Sequence, residues 1–211
     1  MQLYTFFRSG TSHRLRIALN LKQLNVEHIA VDLRTEQHLR AEYHAIHPQG
    51  FVPALKTPGH LLIQSPAILE WLEETYPTPA LLPKDPFDRA HVRAMAALVG
   101  CDIHPLNNRR VLEHLRKSLG SSEDQVNAWC EKWIASGFDA LERILKHSSN
   151  WGQFCFGDSP TLADVYLAPQ VESARRFKVD MNQWQIIKAI DEHCLTLEAF
   201  HRASPALQPD A

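Results

Sequence analysis

The sequence predicts an α/β domain followed by an all-α domain. Over the first 80 of its 211 residues, short runs of aromatic and branched apolar residues alternate with helical patterns. A proline-rich segment follows, with four prolines between Pro77 and Pro86, and this density is typical of an extended connector. Beyond it, apolar residues recur with the 3.6-residue period of helices. We therefore predict domains at residues 1–80 and 86–211.

The N-terminal elements are predicted in the order β-α-β-α-β-β-α. Strands are expected at residues 2–7, 26–33, 52–55 and 60–63, and helices at 13–22, 35–46 and 67–76. Thr11 or Ser12 is expected to cap the first helix, and Thr57-Pro58-Gly59 to form the hairpin turn. A strand–helix–strand start that ends in a hairpin is typical of a thioredoxin-like arrangement, in which helices cover a mixed sheet.

The C-terminal region is predicted to be entirely helical. Helices are expected at residues 88–119 and 124–146, from Thr161 onward, and as two shorter pieces within 184–203. The stretch Thr161-Leu162-Ala163-Asp164 resembles a capping box with aspartate in the glutamate position. Trp129, Trp133 and Phe138 lie at helical spacing and are expected in the core. The tail at 204–211 is expected to be loose.

Composition excludes several classes of protein. A net charge of −2 excludes a strongly basic nucleic-acid binder, and no apolar run approaches the length of a membrane span. The first ten residues lack the basic start of a signal peptide. None of the four cysteines forms a CxxC pair, so we expect idle thiols in a reducing cytoplasm. His44 and His47 are closely spaced beside Pro48, but we expect no metal site.

The turn between the first strand and the first helix, Arg8 to His13, carries hydroxyls and a glycine but no thiol. The first N–H groups of a helix and its dipole favour negative charge. This turn could therefore stabilise a thiolate that a ligand supplies, with Ser9 or Thr11 as hydroxyl donors. The alternative is a plain helix cap.

Two further turns are expected at the same end of the small sheet. Val52-Pro53 stands where a strand begins, so its bond is either a cis peptide that turns backbone polar groups toward a ligand or an ordinary edge proline. Gln64-Ser65-Pro66 places an amide and a hydroxyl at a helix N-terminus, which is either a carboxylate site or a simple cap. Three such turns together favour a ligand site.

Over essentially the whole chain, these residues resemble the zeta-class glutathione transferases. The class signature, Ser-Ser-Cys-x-x-Arg-x-Arg-Ile-Ala-Leu, corresponds to SGTSHRLRIAL at residues 9–19. Val52-Pro53-Ala54-Leu55, the stretch QSPAI at 64–68 and the Thr161–Asp164 motif match features common to the superfamily. The arginine-rich first helix and ESARRFKVD at 172–180 narrow the resemblance to the zeta class. It implies the glutathione transferase fold and a homodimer.

The sequence departs from that signature at two positions. Thr11 replaces the family cysteine and Gly10 replaces the second serine. The stretches 8–13 and 101–110 are similar to bacterial maleylpyruvate isomerases, which convert maleylpyruvate to fumarylpyruvate in gentisate degradation. The resemblance therefore implies a glutathione-dependent cis–trans isomerase. The alternatives are isomerisation of maleylacetoacetate, a detoxifying transferase, and a non-catalytic protein that binds ligands or partners.

The resemblance also implies where glutathione binds. Its γ-glutamyl end is expected at Gln64 and Ser65, and its cysteinyl backbone at Val52, before cis-Pro53. The residues expected near its glycine end are His38, Gln49 and, from the helical domain, His104.

The implied mechanism is reversible addition of the glutathione thiolate to a cis double bond. Ser9 or Thr11 would lower the pKa of the thiol, since a free thiol titrates near about 8.5. The substrate is a dicarboxylate keto acid, and arginine binds carboxylates through paired hydrogen bonds. The residues expected to bind it are Arg8, Asn108, Arg109 and Arg176. The alternative is that these arginines are solvated, as we expect for Arg110 and Arg175.

Overall fold

All 211 residues are described by the structure, a computed structural model. The chain divides into two compact units. One contains Met1–Leu81 together with Leu195–Ala211, and the other contains Leu82–Cys194.

The first unit is built on a four-stranded mixed sheet. Its strands are β1 (Gln2–Thr5), β2 (Glu27–Ala30), β3 (Ala54–Thr57) and β4 (His60–Ile63), in the spatial order β2-β1-β3-β4. β1 is parallel to β2 and antiparallel to β3, which in turn is antiparallel to β4. The buried Leu3 lies opposite the buried Leu55 at the centre of the sheet. The predicted thioredoxin-like arrangement is confirmed.

Two helices of this unit follow the prediction closely and one does not. α1 (Gly10–Leu21) and α3 (Ser65–Thr75) form as expected, although each begins two or three residues earlier. The helix predicted at 35–46 is wrong, because only a 3-10 turn, Gln37–Leu39, and a single α turn, α2 (Ala41–His44), are present. The Gln37 side chain accepts a hydrogen bond from the backbone of Asp32, and Arg40 is extended, so the helix cannot run through.

The prediction of a loose tail at 204–211 is wrong, because these residues belong to the first unit and form a 3-10 turn, Pro205–Leu207. The short helix α9 (Glu198–His201) comes just before the tail, within the stretch 184–203 that was predicted to hold two shorter helices. Phe200 and Ala203 are fully buried. The Gln208 amide donates to the carbonyls of Arg202 and Ser204, which folds the tail back on itself. Beyond the buried Ala203, side-chain hydrogen bonds rather than an apolar pattern order the tail.

The second unit is helical, as predicted. Its helices are α4 (Pro86–Ala97), α5 (Arg109–Leu119), α6 (Glu123–His147) and α7 (Leu162–Arg176), followed by α8 (Gln185–Thr196), which ends just beyond the unit. The predicted core position of Phe138 is confirmed, whereas Trp129 and Trp133 are only half-buried. The Asp164 carboxylate accepts from the backbone of Cys155 and Thr161 and from the Thr161 hydroxyl, which confirms the predicted capping box.

The single helix predicted at 88–119 is interrupted. A π-helical segment, Leu98–Ile103, and a 3-10 turn, His104–Asn107, separate α4 from α5. Pro105 has no N–H to donate, which favours a break at this point. At Gly100, a Cβ atom would lie 2.8 Å from the Tyr166 ring, so this close packing requires glycine.

No helix of the chain is long and apolar enough to cross a bilayer. No group of three or more histidine, cysteine, aspartate or glutamate side chains is arranged to hold a metal ion. The four cysteines are all free thiols, with Cys101 exposed and the other three buried.

A buried ion pair ties the end of α1 to the end of α3. The Lys22 ammonium donates to the Glu73 carboxylate at 2.8 Å and to the carbonyls of Tyr76 and Pro79 at 2.6 and 2.9 Å. The Glu73 carboxylate also accepts from the backbone N–H of Leu81. All the donors of Lys22 are thus satisfied within the unit.

We expect Lys22→Met to lower the free energy of unfolding by about 3–5 kcal/mol, because it leaves the Glu73 carboxylate buried without its cation. Denaturant titration followed by circular dichroism measures this change. The double variant Lys22→Met/Glu73→Leu is the control, and it should recover much of the loss. A double variant no more stable than Lys22→Met would contradict the argument.

Candidate active site

The turn between β1 and α1 is organised by two hydroxyl groups. Ser9 is the N-cap of α1, and its Oγ accepts a hydrogen bond from the N–H of Ser12 at 3.2 Å. The predicted capping by Thr11 or Ser12 is therefore wrong. Because the cap lies earlier, Gly10 and Thr11 occupy the first helical positions, whose N–H groups have no acceptor within a helix.

The hydroxyl of Thr11 is committed to the backbone. Its Oγ1 donates to the carbonyl of Val52 at 2.9 Å, and it also lies 2.9 Å from Ser9 Oγ. Since each hydroxyl has one proton, Ser9 is the donor in the contact between them. The Ser9 proton can therefore turn toward an anion without a loss of any bond to the backbone, whereas the Thr11 proton cannot.

The hydrogen bond from Thr11 to the carbonyl of Val52 also holds the loop that precedes β3. The Val52–Pro53 peptide bond is cis, and Val52 is buried. Val52 packs in one apolar cluster with Phe6 and Phe7, which lead into the Ser9 turn. Tyr43 joins this cluster and donates its hydroxyl to the carbonyl of Phe51 at 2.7 Å. Apolar packing therefore fixes two of the three predicted turns relative to each other.

The third turn, at the start of α3, combines an unusual backbone with an unsatisfied hydroxyl. Gln64 has φ 69° and ψ 112°, a conformation that non-glycine residues rarely adopt. The next residue, Ser65, is only 3% exposed, and its Oγ has no hydrogen-bond partner. A buried hydroxyl beside the N–H groups of a helix is suited to a carboxylate.

A neighbouring loop brings two more predicted residues together. The Gln64 amide donates to the side-chain oxygen of Gln49. Gly50 has φ +64°, and a Cβ atom there would lie 2.7 Å from the carbonyl oxygen of His38. The loop therefore runs directly against the 3-10 turn that carries His38, so His38, Gln49 and Gln64 belong to one part of the first unit.

A histidine and an arginine of α1 are buried behind the Ser9 turn. Burial lowers the pKa of His13 to about 3, helped by the nearby guanidinium of Arg16, so this imidazole is neutral at pH 7. Arg16 itself is 1% exposed, and burial lowers its pKa to about 10, which still leaves it protonated. The turn therefore has a fixed cation nearby on the same helix.

In the second unit, Asn108 and Arg109 have local partners. The Asn108 side chain caps α5 by accepting from the N–H of Arg110 at 3.2 Å. The Arg109 guanidinium pairs with Glu113 one helical turn away at 2.5 Å. His104 begins the 3-10 turn that precedes them. His104 and Asn108 do not share one helix face, since a 3-10 turn separates His104 from the start of α5.

Two adjacent arginines at the end of α7 differ in their surroundings. Arg175 pairs with the buried carboxylate of Asp191 on α8 and thereby joins the two helices. Arg176 is exposed, lies over the Phe177 ring and donates to Ser173 at 3.3 Å. Arg8, on the turn of the first unit, is also exposed and lies over Phe7. The structure thus gives Arg175 a structural partner and leaves Arg8 and Arg176 at the surface.

Two family models match this chain. Residues 3–80 match the N-terminal domain of glutathione S-transferases, and residues 123–193 match the C-terminal domain. The chain is 60% identical to a Ralstonia maleylpyruvate isomerase over 211 residues, which is the whole of both proteins. The chain belongs to the glutathione S-transferase family.

Two solved structures are similar to this chain over nearly their full length. One is the holo structure of a maleylpyruvate isomerase, described as a bacterial zeta-class enzyme, with a TM-score of 0.99, 60% identity and full coverage of both chains. The other is a maleylacetoacetate isomerase from Methylobacterium extorquens AM1 with bound malonate and glutathione. It has a TM-score of 0.97 and 36% identity, and covers 100% of this chain and 99% of its own.

Two features that organise the Ser9 turn were not predicted from the sequence. They are the burial of Arg16 behind it and the hydrogen bond from Thr11 to the carbonyl of Val52. The available signal for Arg16 was its place beside the apolar run Ile17-Ala18-Leu19, where an arginine needs several hydrogen-bond acceptors to be buried. No local pattern identifies the carbonyl of Val52, which is 41 residues away from Thr11.

We expect Gln64→Gly to be more stable than Gln64→Ala by about 1 kcal/mol, because glycine adopts a positive φ without strain. Both variants lose the amide contact with Gln49, so the difference isolates the backbone. Thermal and denaturant unfolding measure it. Equal stability of the two variants would show that the backbone at Gln64 is unstrained.

Proposed function

We propose that this protein is a glutathione-dependent cis–trans isomerase that converts maleylpyruvate to fumarylpyruvate. The observation that carries the proposal is the relation to the Ralstonia maleylpyruvate isomerase over the full length of both chains. The residues of the first unit are consistent with it, since they offer a hydroxyl that can donate to a thiolate and a site for a carboxylate within one small domain.

The residues present fit glutathione. The unsatisfied hydroxyl of Ser65 and the start of α3 suit the α-carboxylate of its γ-glutamyl end, with Gln64 beside them. The backbone of Val52 would pair with the cysteinyl part. His38 and Gln49 would contact the glycine end, with His104 as a further contact from the second unit. These assignments rest on the family resemblance together with the local geometry.

Ser9 is the proposed catalytic hydroxyl, and Thr11 its partner. Bound glutathione would supply the thiolate, whose reversible addition to the cis double bond permits rotation and leaves glutathione unchanged. Ser9 would stabilise the negative sulfur by turning its proton away from Thr11, supported by the dipole of α1. Thr11 would hold the turn to Val52 and orient the Ser9 oxygen.

Arg8, Arg109 and Arg176 are the proposed ligands of the two substrate carboxylates, with Asn108 as a polar contact. A dianionic keto acid gains negative charge on its keto oxygen during the addition, and nearby guanidinium groups stabilise such charge. Arg8 and Arg176 are exposed and can reorient. Arg109 would have to exchange its contact with Glu113 for the substrate.

The second candidate function is isomerisation of maleylacetoacetate. It is favoured by the similarity to the Methylobacterium structure, which holds malonate, a dicarboxylate, together with glutathione. The two substrates differ at one keto-acid end.

We also infer a place in gentisate degradation and a homodimeric assembly, both on the zeta-class resemblance. A cytoplasmic location is inferred from the four free thiols, which suit a reducing compartment.

The test follows maleylpyruvate, prepared enzymatically from gentisate, by its ultraviolet absorbance with and without glutathione. We expect the signal to disappear only when protein and glutathione are both present, with fumarylpyruvate as product and glutathione recovered unchanged. No change with maleylpyruvate but turnover of maleylacetoacetate would favour the second candidate. Consumption of glutathione would indicate a transferase. The absence of turnover with any electrophile would indicate a protein that binds ligands without catalysis.

We expect Arg8→Ala and Arg176→Ala each to raise KM and lower kcat for the dicarboxylate, because each removes a cation that pairs with the substrate. Steady-state kinetics at saturating glutathione measure both constants. Arg110→Ala is the matched control, since Arg110 is an exposed arginine beside Arg109, and it should leave kcat/KM unchanged. Wild-type kinetics in both Arg8→Ala and Arg176→Ala would refute this assignment.

A further inference from the structure

The backbone that leads into Ser9 is held by residues from distant parts of the chain. β1 ends at Thr5, so the polar groups of Phe7 are outside the sheet. The N–H of Phe7 donates to the Asp210 carboxylate at 2.9 Å, across 203 residues of sequence. The carbonyl of Phe7 accepts from Arg16 Nη2 at 3.0 Å. Both backbone groups of Phe7 are therefore held by side chains.

Arg16 extends this hold to the neighbouring residues. Its Nη1 donates to the carbonyl of Phe6 at 3.4 Å and to the hydroxyl of Thr5 at 3.3 Å, and its Nε donates to the carbonyl of Ala203 at 3.0 Å. The carbonyl of Phe6 also accepts from the N–H of Ser9 at 3.0 Å. One carbonyl oxygen therefore connects Arg16 directly to the catalytic turn.

Charge supports the same arrangement. Burial disfavours the cation of Arg16, and the nearby carboxylate of Asp210 opposes that effect on its pKa. Asp210 also interacts electrostatically with His28 in β2, although burial lowers the pKa of that imidazole, and with the guanidinium of Arg34 in the loop after β2. The carboxylate near the chain end thus faces the guanidinium groups of Arg16 and Arg34 behind the turn.

We propose that Asp210 and Arg16 are positioning residues of the active site, which fix the Phe6–Phe7 backbone and thereby aim the Ser9 hydroxyl and the first N–H groups of α1 at the thiol of the ligand. The inference rests on the proposed function, because the aimed groups act on a bound thiol. It assigns the C-terminal tail to the catalytic machinery of the first unit.

Removal of the Asp210 carboxylate should affect catalysis more than binding. Phe7 is only 9% exposed, so its N–H would be left without an acceptor when the carboxylate is removed. The turn would then relax. Gln64 and Ser65 belong to other elements, so the KM for glutathione should change little. The kcat should fall, and the acidic limb of its pH profile should move to higher pH, because a misaimed turn stabilises the thiolate less.

The first measurement needs no ligand. Amide hydrogen–deuterium exchange is followed by mass spectrometry in peptides that cover residues 7–12 of the untagged protein. We expect Asp210→Ala to exchange about fivefold faster there than wild type, since an opened turn exposes its amides. Asp210→Asn keeps an acceptor oxygen and should exchange like wild type. Deletion of the last two residues should match Asp210→Ala.

Asp85→Ala is the matched control, because Asp85 accepts a hydrogen bond of the same length, 2.9 Å, from the N–H of Phe87 at the start of α4. It should leave exchange at 7–12 and the pH profile unchanged.

The second measurement is the pH dependence of kcat. In Asp210→Ala the apparent pKa of the acidic limb should rise by about half a unit, and Asp210→Asn should restore the wild-type value.

Wild-type exchange in Asp210→Ala, or an equal acceleration in Asp85→Ala, would overturn the proposal. An unchanged pH profile in an active Asp210→Ala enzyme would overturn it as well. If the wild-type protein binds no glutathione and isomerises nothing, the proposed function fails instead. The exchange experiment then still decides whether Asp210 holds the turn.

Discussion

The hydrogen bond from Thr11 to the carbonyl of Val52 is the contact on which the arrangement of the site depends. It joins the start of α1 to the loop with the cis peptide bond. It also determines which of the two hydroxyl groups can redirect its proton toward a ligand. Because Thr11 is committed to the backbone, Ser9 both caps the helix and keeps a proton that can be redirected. The departure of Thr11 from the family cysteine therefore has a structural consequence, since a hydroxyl makes a stronger hydrogen bond than a thiol.

Burial and partners separate the cations of this protein into two groups. Lys22, Arg16 and Arg175 each have acceptors or carboxylates from distant segments and hold elements together. Arg8 and Arg176 lie at the surface, where a guanidinium group can exchange its local contacts for a dianionic substrate. Arg175 and Arg176 are adjacent in the sequence, but Arg175 pairs with Asp191 on another helix, whereas Arg176 lies over Phe177 at the surface.

Much of the fold follows from local patterns. The alternation of strands and helices up to Pro77, the 3.6-residue period of α6 and the capping box at Thr161 each rest on nearby residues, and each is present. The predictions that are wrong involve contacts between distant residues, or side chains that compete with the hydrogen bonds of a helix. Gln37 interrupts a helical pattern by bonding to Asp32, and Asp210 orders the tail through Phe7. The three turns of the site could be predicted as turns, but their connections could not.

Titration of the glutathione thiol bound to the wild-type protein, followed by the ultraviolet absorbance of the thiolate, tests most directly whether the Ser9 turn generates the thiolate. The pKa of a free thiol is about 8.5. We expect the pKa of the bound thiol to be at least about one unit lower, and we expect Ser9→Ala to reverse most of this shift and Thr11→Val to reverse less. A bound thiol that titrates like the free one would contradict the claim that this turn generates the thiolate.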